Sequence, residues 1–396
     1  SSDVCSSDLL FDLKASTMLQ LSLEFESPEY VNRAVHNLVK NVFPLHVKAH
    51  GDILITHNDP VPVYFIPKKV KTPEEAAIFT ATNYTRPFNK SLASIASGGN
   101  FVVLNINHMF SDGGYFKYLI ENIMEETHPK LNFFPLKTDD LFKKEIENAP
   151  MPMDWSIDPY VSRILTNGKP KRDSAFASYQ TIKMKMNELK CYDKQTKRVH
   201  GLTEALWLSH LLASFKHKKN IENHCGVCTC VDLRKYLKMP ITQEITNCFS
   251  SVSPSAKINK NMKLSEVGKL LRENMNIKLK RGDQFGFYKG LGEKSEQKVI
   301  PGIGLEITNM GPLPIKKPIV NAWASLHAKT INVEKIISLM SFSVNDDFYI
   351  RLRYGSGALT HEEMKEYAKS VEFAIRNIPF DMSVEEIGRA SCRERV

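Results

Sequence analysis

Residues 101–114 constrain the fold of this chain more than any other stretch. They read Phe-Val-Val-Leu-Asn-Ile-Asn-His-Met-Phe-Ser-Asp-Gly-Gly, and the first seven are rich in Val, Ile, Leu and Phe, which predicts a buried strand. The strand stops at His108, and an Asp-Gly-Gly sequence beginning at Asp112 turns the chain. Apolar residues then recur at helical spacing over 115–126. A titratable imidazole held at the end of a rigid strand is well placed to move a proton at neutral pH.

Three simpler interpretations of this stretch compete with a catalytic one. A single His at a strand end is usually only a surface or hydrogen-bonded residue. His108 and Asp112 have a spacing that could bind a metal ion on a helix, but the preceding strand and the glycine pair disfavour a helix here, and no third ligand lies nearby in the sequence. Asp-Gly by itself is an ordinary turn.

The sequence from His108 through Asp112 to Gly113, between an apolar strand and an amphipathic helix, resembles the His-x-x-x-Asp-Gly motif of the CoA-dependent acyltransferase superfamily. This superfamily includes chloramphenicol acetyltransferase, plant acyltransferases, the condensation domains of peptide synthetases and the fungal alcohol acetyltransferases. Residues 231–237 resemble its Asp-Leu-Arg strand end, and residues 306–313 resemble the Ser-Asn-Leu-Gly strand end of the alcohol acetyltransferases.

A hairpin over 338–354 and the helix after it resemble the superfamily's closing elements, and the three segments follow in the expected order. The pattern most resembles yeast alcohol acetyltransferases and their N-acetylating relatives. The plant motif Asp-Phe-Gly-Trp-Gly is not seen, which disfavours a plant-type enzyme.

The resemblance implies an α/β, two-lobed, chloramphenicol acetyltransferase-like fold, with mixed sheets flanked by helices and an active-site tunnel between the lobes. The expected N-terminal lobe covers 10–150 and carries the motif, residues 151–178 form a crossover linker, and the C-terminal lobe covers 179–387. Residues 1–9 and 388–396 lack periodicity and resemble translated adapter sequence, so we expect them to be non-native and the start of the first lobe to be truncated.

The resemblance also implies a role for each motif residue. His108 is expected to act as general base on the acceptor, in a direct transfer without an acyl-enzyme. Asp112 is expected to form a bidentate ion pair with Arg234 that holds the loop carrying the histidine. Gly113 is expected to allow a sharp exit and a close approach of the backbone. Asn309 is a candidate tunnel residue, although an Asn close to a Gly is also typical of a turn.

The function expected from the resemblance is transfer of an acetyl group from acetyl-CoA to an alcohol hydroxyl. The alternative is N-acetylation of a long-chain, sphingoid-like amino alcohol or another amine. A condensation-type domain and a non-catalytic relative that kept the fold remain further alternatives. Acetyl-CoA enters as a co-substrate, and no metal is expected.

Five cysteines lie outside the suspect ends, and an odd number without a signal pattern is typical of a reducing, cytoplasmic compartment. The sequence His-Cys-Gly-Val-Cys-Thr-Cys at 224–230 could bind zinc, but no second Cys/His pair follows, so buried strand cysteines are the preferred interpretation. No apolar run reaches the length of a membrane span.

The formal net charge is +9, and the basic clusters lack the aromatic residues of nucleic-acid-binding modules, so nucleic acid is not expected as a partner. The clusters are predicted to be solvated surface. The more specific alternative is that they attract an anionic nucleotide cofactor or a membrane surface. We also expect a monomeric, cytoplasmic protein, with peripheral association with endoplasmic reticulum or lipid-droplet membranes as the alternative.

Periodicity and turn residues predict further elements along the chain. A helix is expected over 29–42, a strand over 43–49, a helix over 266–280 capped by Ser265, a strand over 303–308 that ends at Asn309, and a capping box at Thr360 for a helix that runs to Asn377.

Overall fold

The computed structural model describes most of the chain, namely residues 17–50, 53–84, 89–125, 135–150, 158–164, 177–292, 300–327, 336–355 and 359–386. The ends expected to be non-native and most of the predicted crossover linker lie outside these residues. No helix within the described ranges is long and apolar enough to cross a membrane.

The strands of the described chain are β1 (Met18–Phe25), β2 (Val47–His50), β3 (Ile53–Thr56), β4 (Val63–Phe65), β5 (Ala93–Gly98), β6 (Phe101–Asn107), β7 (Arg163–Ile164), β8 (Ala177–Lys185), β9 (Tyr192–Asp193), β10 (Arg198–Val199), β11 (His224–Gly226), β12 (Cys228–Asp232), β13 (Phe249–Val252), β14 (Ser255–Lys257), β15 (Ile303–Pro312), β16 (Ile319–His327), β17 (Ile336–Val344) and β18 (Asp347–Gly355).

The helices are α1 (Pro28–Asn41), α2 (Pro73–Asn83), α3 (Gly113–Asn122), α4 (Thr138–Leu141), α5 (Lys143–Glu147), α6 (Leu202–Lys218), α7 (Leu264–Arg281), α8 (Asp283–Gly292) and α9 (His361–Asn377). Short 3₁₀ turns cover Phe43–His46, His108–Phe110, Met186–Glu188 and Leu233–Tyr236.

The chain divides into two compact units. The first comprises Ser1–Lys143, Asp232–Phe249 and Pro312–Lys329, and the second comprises Lys144–Val231, Ser250–Gly311 and Thr330–Val396. Sequence reasoning assigned residues 232–249 and 312–329 to a contiguous C-terminal lobe, whereas the structure groups them with the first unit. The physical reason is pairing across the chain, because β16 hydrogen-bonds to β1 and a side chain of residues 232–249 pairs with the motif.

The first unit contains a sheet with the strand order β16-β1-β6-β5-β4. Strand β6 pairs antiparallel with both β1 and β5, and every residue of β6 is buried. Strands β4 and β5 are parallel, so the sheet is mixed. Helix α1 packs against β1, β5 and β6, and helix α2 packs against β1, β6 and β16. The predicted strand over 101–107 is therefore confirmed as a central strand, which makes its end a rigid support.

The second unit contains a sheet with the order β13-β12-β15-β17-β18-β8, and β7 pairs with β15. Strands β12 and β15 are parallel, whereas β17, β18 and β8 run antiparallel. Helix α6 packs against α7 and α9, and α9 also packs against β8. The predicted α/β class with mixed sheets flanked by helices is thus confirmed in both units.

Several predicted boundaries were wrong for local reasons. Residues 43–46 form a 3₁₀ turn rather than a strand, because Pro44 suits the first turn and lacks an N–H for a ladder. Ser265 lies inside α7 rather than capping it, because the side chain of Glu266 accepts a hydrogen bond from the N–H of Lys263. The strand over 303–308 continues to Pro312. The capping box at Thr360 and the helix end at Asn377 are confirmed.

Candidate active site

His108 begins a 3₁₀ turn directly after β6 and is held by its neighbours in the sheet. Its N–H donates to the carbonyl of Thr17 at 2.9 Å, and the N–H of Asn107 donates to the carbonyl of Leu92 at 2.8 Å. The side chain of Asn107 caps the turn by accepting from the N–H of Met109 at 2.9 Å. These bonds tie the point where the strand stops to two neighbouring segments, so the backbone of His108 has little freedom.

The ring of His108 is half-buried and packs against an aromatic ring. Its centroid lies 5.1 Å from that of Phe249, with the two planes tilted by 35°. The Nδ1 atom is buried and has no hydrogen-bond partner among the described residues. Packing rather than a hydrogen bond therefore orients the ring, and Nε2 is left as the ring nitrogen through which a proton could be exchanged with a bound molecule.

Asp112 is the N-cap of α3 and is almost fully buried, with 4% of its surface exposed. Its Oδ1 accepts from the N–H of Tyr115 at 2.8 Å, which satisfies one of the free donors at the helix start. Its Oδ2 accepts from the N–H of Cys248 at 2.6 Å. The carboxylate therefore accepts one hydrogen bond from the first turn of α3 and another from Cys248, which is distant in the sequence.

The predicted ion pair between Asp112 and Arg234 is present and is bidentate. Nη2 of Arg234 lies 2.9 Å from Oδ1 of Asp112, and Nη1 donates to Oδ2 at 2.9 Å. Nη1 also reaches Asp232 at 3.2 Å, and Nη2 donates to the carbonyl of Ile245 at 3.0 Å. Burial alone would lower the pKa of Arg234, but the Asp112 carboxylate and then Asp232 outweigh it and raise that pKa above its usual range.

A close approach to the backbone is observed at Gly114, and the role of the neighbouring Gly113 stays a prediction. A Cβ atom on Gly114 would overlap Nη1 of Arg234 and would lie 2.8 Å from its Cζ. Arg234 thus crosses directly over the first turn of α3. Sequence reasoning missed Gly114 because the sequence alone does not show which glycine of the pair lies beside an arginine.

A second missed feature is the segment 245–249, which contacts the motif turn repeatedly. Besides the bonds of Ile245 and Cys248 and the ring of Phe249, the side-chain amide of Asn247 donates to the carbonyl of His108 at 2.7 Å and to that of Met109 at 3.2 Å. No periodicity or motif marks this segment, because its contacts are made by main-chain groups, one side-chain amide and one aromatic ring.

Asn309 lies on β15 in the second unit, and its side chain is engaged locally. Its Oδ1 accepts from the N–H of Gly311 at 2.9 Å and from the hydroxyl of Ser341 at 3.1 Å. The bond to Gly311 is an Asx-type contact, but both residues lie within β15, which continues to Pro312. The tunnel role of Asn309 stays a prediction.

The cysteines of 224–230 are strand residues. Cys225 lies on β11, and Cys228 and Cys230 lie on β12. Burial raises the pKa of Cys225 to about 12, and burial likewise raises those of Cys228 and Cys230. Across the described ranges, no group of three or more His, Cys, Asp or Glu side chains could hold a metal ion.

Comparison with known proteins connects this geometry to a fold. Neither a protein-family model nor a curated protein matches the sequence. Solved structures do match: polyketide synthase associated protein 5 from Mycobacterium tuberculosis has a TM-score of 0.63 at 13% identity, over 93% of this chain and 96% of that one. A variant of the starter condensation domain of the rhizomide synthetase RzmA, in complex with C8-CoA, has a TM-score of 0.65 at 10% identity, over 97% and 96%.

A trichothecene 15-O-acetyltransferase from Fusarium sporotrichioides matches with a TM-score of 0.62 at 11% identity, over 94% of each chain. The chain shares the fold of these structures, which include a condensation domain and an O-acetyltransferase. The two-lobed acyltransferase fold expected from the motif resemblance is thereby confirmed. At such low identity the likeness establishes the fold and leaves the chemistry to be argued from the site.

Proposed function

We propose that this protein is a CoA-dependent acyltransferase that moves an acetyl group from acetyl-CoA to an alcohol hydroxyl, with His108 as general base. The observation that carries the proposal is the turn after β6. His108 lies at the end of this strand, and Asp112, four residues later, forms a buried ion pair with Arg234. The fold comparisons support it, since the matched structures include an O-acetyltransferase and a domain in complex with C8-CoA.

The proposed step needs one proton carrier and no covalent enzyme intermediate. The acceptor hydroxyl donates a hydrogen bond to Nε2 of His108, because Nδ1 is buried. As the hydroxyl oxygen attacks the thioester carbonyl, the proton moves to the imidazole. The tetrahedral adduct collapses with cleavage of the C–S bond, and the imidazolium returns the proton to the departing CoA thiolate, so His108 ends the cycle neutral.

Asp112 has no part in proton transfer in this proposal. Its two carboxylate oxygens are occupied by Arg234 and by the N–H groups of Tyr115 and Cys248. A carboxylate whose oxygens already accept from this set of donors is poorly placed to take a proton from the acceptor. Its role is to keep the turn and the start of α3 in place, which fixes the position of His108.

The cysteines favour direct transfer over an acyl-enzyme. A thiol acts as a nucleophile through its thiolate, and burial raises the pKa of Cys248 to about 12 and that of Cys191 to about 11. Neither thiol is ionised near neutral pH. Intact-mass measurement of the protein after incubation with acetyl-CoA alone should therefore show no added acetyl group.

The class of acceptor decides between the alternatives. The same base can take a proton from an alcohol or from an amine, so N-acetylation of a long-chain amino alcohol shares this site chemistry. A condensation-type reaction would instead need an acceptor presented as an aminoacyl thioester. We further propose a monomeric, cytoplasmic protein, with peripheral membrane association as the alternative.

The test is release of free CoA from acetyl-CoA by the purified protein, with isoamyl alcohol, a sphingoid base and an aminoacyl thioester offered separately. Thiol release that depends on isoamyl alcohol and is lost in His108→Ala supports the proposal. Release only with the sphingoid base replaces it with N-acetylation, and release only with the aminoacyl thioester replaces it with condensation. No release with any acceptor, from folded protein, overturns the enzymatic assignment with acetyl-CoA.

A further inference from the structure

The side-chain amide of Asn247 contacts the backbone of the histidine itself. Its Nδ2 donates to the carbonyls of His108 and Met109, at 2.7 Å and 3.2 Å. These are the first two residues of the 3₁₀ turn, whereas the Asp112–Arg234 pair acts at the end of that turn. The two sets of contacts therefore hold opposite ends of one short segment.

We propose that Asn247 is a positioning residue that sets the direction of the His108 ring, an inference that rests on the proposed function of His108. A hydrogen bond to the carbonyl of a residue restrains the peptide plane on its C-terminal side. Together with the N–H bond of His108 to Thr17, the amide of Asn247 restrains both peptide planes that flank the Cα of His108. The Cα and its two planes determine where Cβ points, so these bonds fix the position from which the ring extends, and packing against Phe249 then sets its rotation.

The neighbours of Asn247 make the same segment a support for the ring. Phe249 packs against the His108 ring, and the N–H of Cys248 binds Asp112. The carbonyl of Asn247 is itself held, since it accepts from the hydroxyl of Thr138 at 2.7 Å. We call residues 245–249 the clasp. The clasp links the histidine, its aromatic neighbour and the ion pair through consecutive residues.

The amide of Asn247 is used as a donor. Both of its hydrogen bonds run from Nδ2 to carbonyl oxygens, while Oδ1 is buried without a hydrogen-bond partner among the described residues. Aspartate has the same shape but lacks the donor, and its carboxylate would face two carbonyl oxygens. Asn247→Asp therefore separates hydrogen bonding from packing, and Asn247→Ala removes both.

Asn37 offers a matched control in the same unit. It is buried, and its Nδ2 also donates to two backbone carbonyls, those of Ile123 at 2.8 Å and Glu125 at 3.4 Å. These carbonyls follow the C-terminal end of α3, whereas His108 precedes the start of that helix. Asn37→Ala should therefore lower the melting temperature as Asn247→Ala does, but it should leave the position of His108 unchanged.

The experiment compares kcat, KM for acetyl-CoA and melting temperature across these variants. We expect Asn247→Ala and Asn247→Asp to lower kcat by about 10- to 100-fold, the scale of a misplaced catalytic group, with KM near the parent value. Asn37→Ala should keep the parent kcat. Equal losses of kcat in Asn37→Ala and Asn247→Ala, or a parent-like kcat in Asn247→Asp, would overturn the positioning role.

A double-variant cycle tests whether Asn247 acts through His108. In a His108→Ala background the base is already absent, so adding Asn247→Ala should leave the residual rate unchanged. A further fall of the same size as in the parent background would mean that Asn247 acts independently of His108 and would contradict the inference.

A readout that does not need activity separates this inference from the proposed function. In protein with isotope-labelled histidine, the His108 ring signals can be assigned by their loss in His108→Ala. These signals should shift or broaden in Asn247→Ala and stay unchanged in Asn37→Ala. If the parent transfers no acetyl group, the proposed function fails, and unchanged His108 signals in Asn247→Ala would separately show that the clasp does not orient the ring.

Discussion

The guanidinium of Arg234 grips both carboxylate oxygens of Asp112 at 2.9 Å, although 122 residues separate the two along the chain. Both side chains are about 95% buried, so neither charge is solvated by water and each depends on the other. The same carboxylate caps the N-terminus of α3, and the same guanidinium donates to the carbonyls of Ile245 and Thr246 in the clasp. One buried ion pair therefore connects the motif turn to a segment from the other half of the sequence.

Removing one partner of this pair should destabilise the protein strongly. In Asp112→Asn the guanidinium of Arg234 loses its buried counter-charge, and breaking such a pair costs about 3–5 kcal/mol. The control is Asp232→Asn, because Asp232 also contacts Arg234 but its side chain is 55% exposed, where an ion pair contributes roughly 0–1 kcal/mol. Urea unfolding of the two variants measures the difference. Equal losses in the free energy of unfolding would mean that the buried pair stabilises the protein no more than the exposed one.

His108→Ala should lower turnover by about two to four orders of magnitude, the usual contribution of a general base, while the melting temperature stays near that of the parent. The control is His200→Ala, because the side chain of His200 is 63% exposed and belongs to the second unit. Acceptor-dependent thiol release measures both variants. Turnover of His108→Ala within a few-fold of the parent would show that His108 is not the general base.

Gly114→Ala should destabilise the protein and reduce activity together. The added methyl group would overlap Nη1 of Arg234, and that guanidinium cannot retreat without leaving Asp112. Overpacking of this kind costs about 1–3 kcal/mol. Gly268→Ala is the matched control, because its Cβ would meet neighbours only at 3.5 Å and an alanine stabilises a helix by up to about 1 kcal/mol. Thermal unfolding should move in opposite directions for the two variants.

A buried histidine in the second unit should make the protein sensitive to acid. Burial lowers the pKa of His210 from 6.5 to about 4. Nε2 of the ring lies 3.2 Å from the carbonyl of Ile337, and Nδ1 lies 3.0 Å from the hydroxyl of Tyr367, which donates to the carbonyl of His210 at 2.9 Å. The unfolded chain binds the extra proton between these two pKa values.

The stability due to neutral His210 is therefore fully present above pH 6.5 and is lost as the pH falls towards 4, by about 3 kcal/mol in all. Urea unfolding of the parent between pH 7 and 4 measures this slope. His210→Gln cannot take up a proton and should give a flatter profile over that interval. Parallel profiles for parent and variant would show that His210 does not cause the acid sensitivity.

Local sequence patterns determined several elements of this protein. The apolar run at 101–107 is a strand, the chain turns after it, and a helix follows the Asp-Gly-Gly sequence. The capping box at Thr360 and the helix end at Asn377 were equally readable. Each of these depends on side chains and backbone groups within a few residues, so the information lies in the local sequence. The ion-pair partner Arg234 came from the motif resemblance rather than from any pattern in the residues.

Only the tertiary structure decided which distant segments meet. Strand β1 pairs with β6 on one side and with β16 on the other, and Met18 lies opposite both Asn107 and His327. The apolar composition of each strand permits many partners and registers, so it does not name these. Gly114 and Asn247 became visible for the same reason: the methyl group that Gly114 lacks and the two carbonyls that Asn247 binds matter only once Arg234 and His108 have been brought beside them.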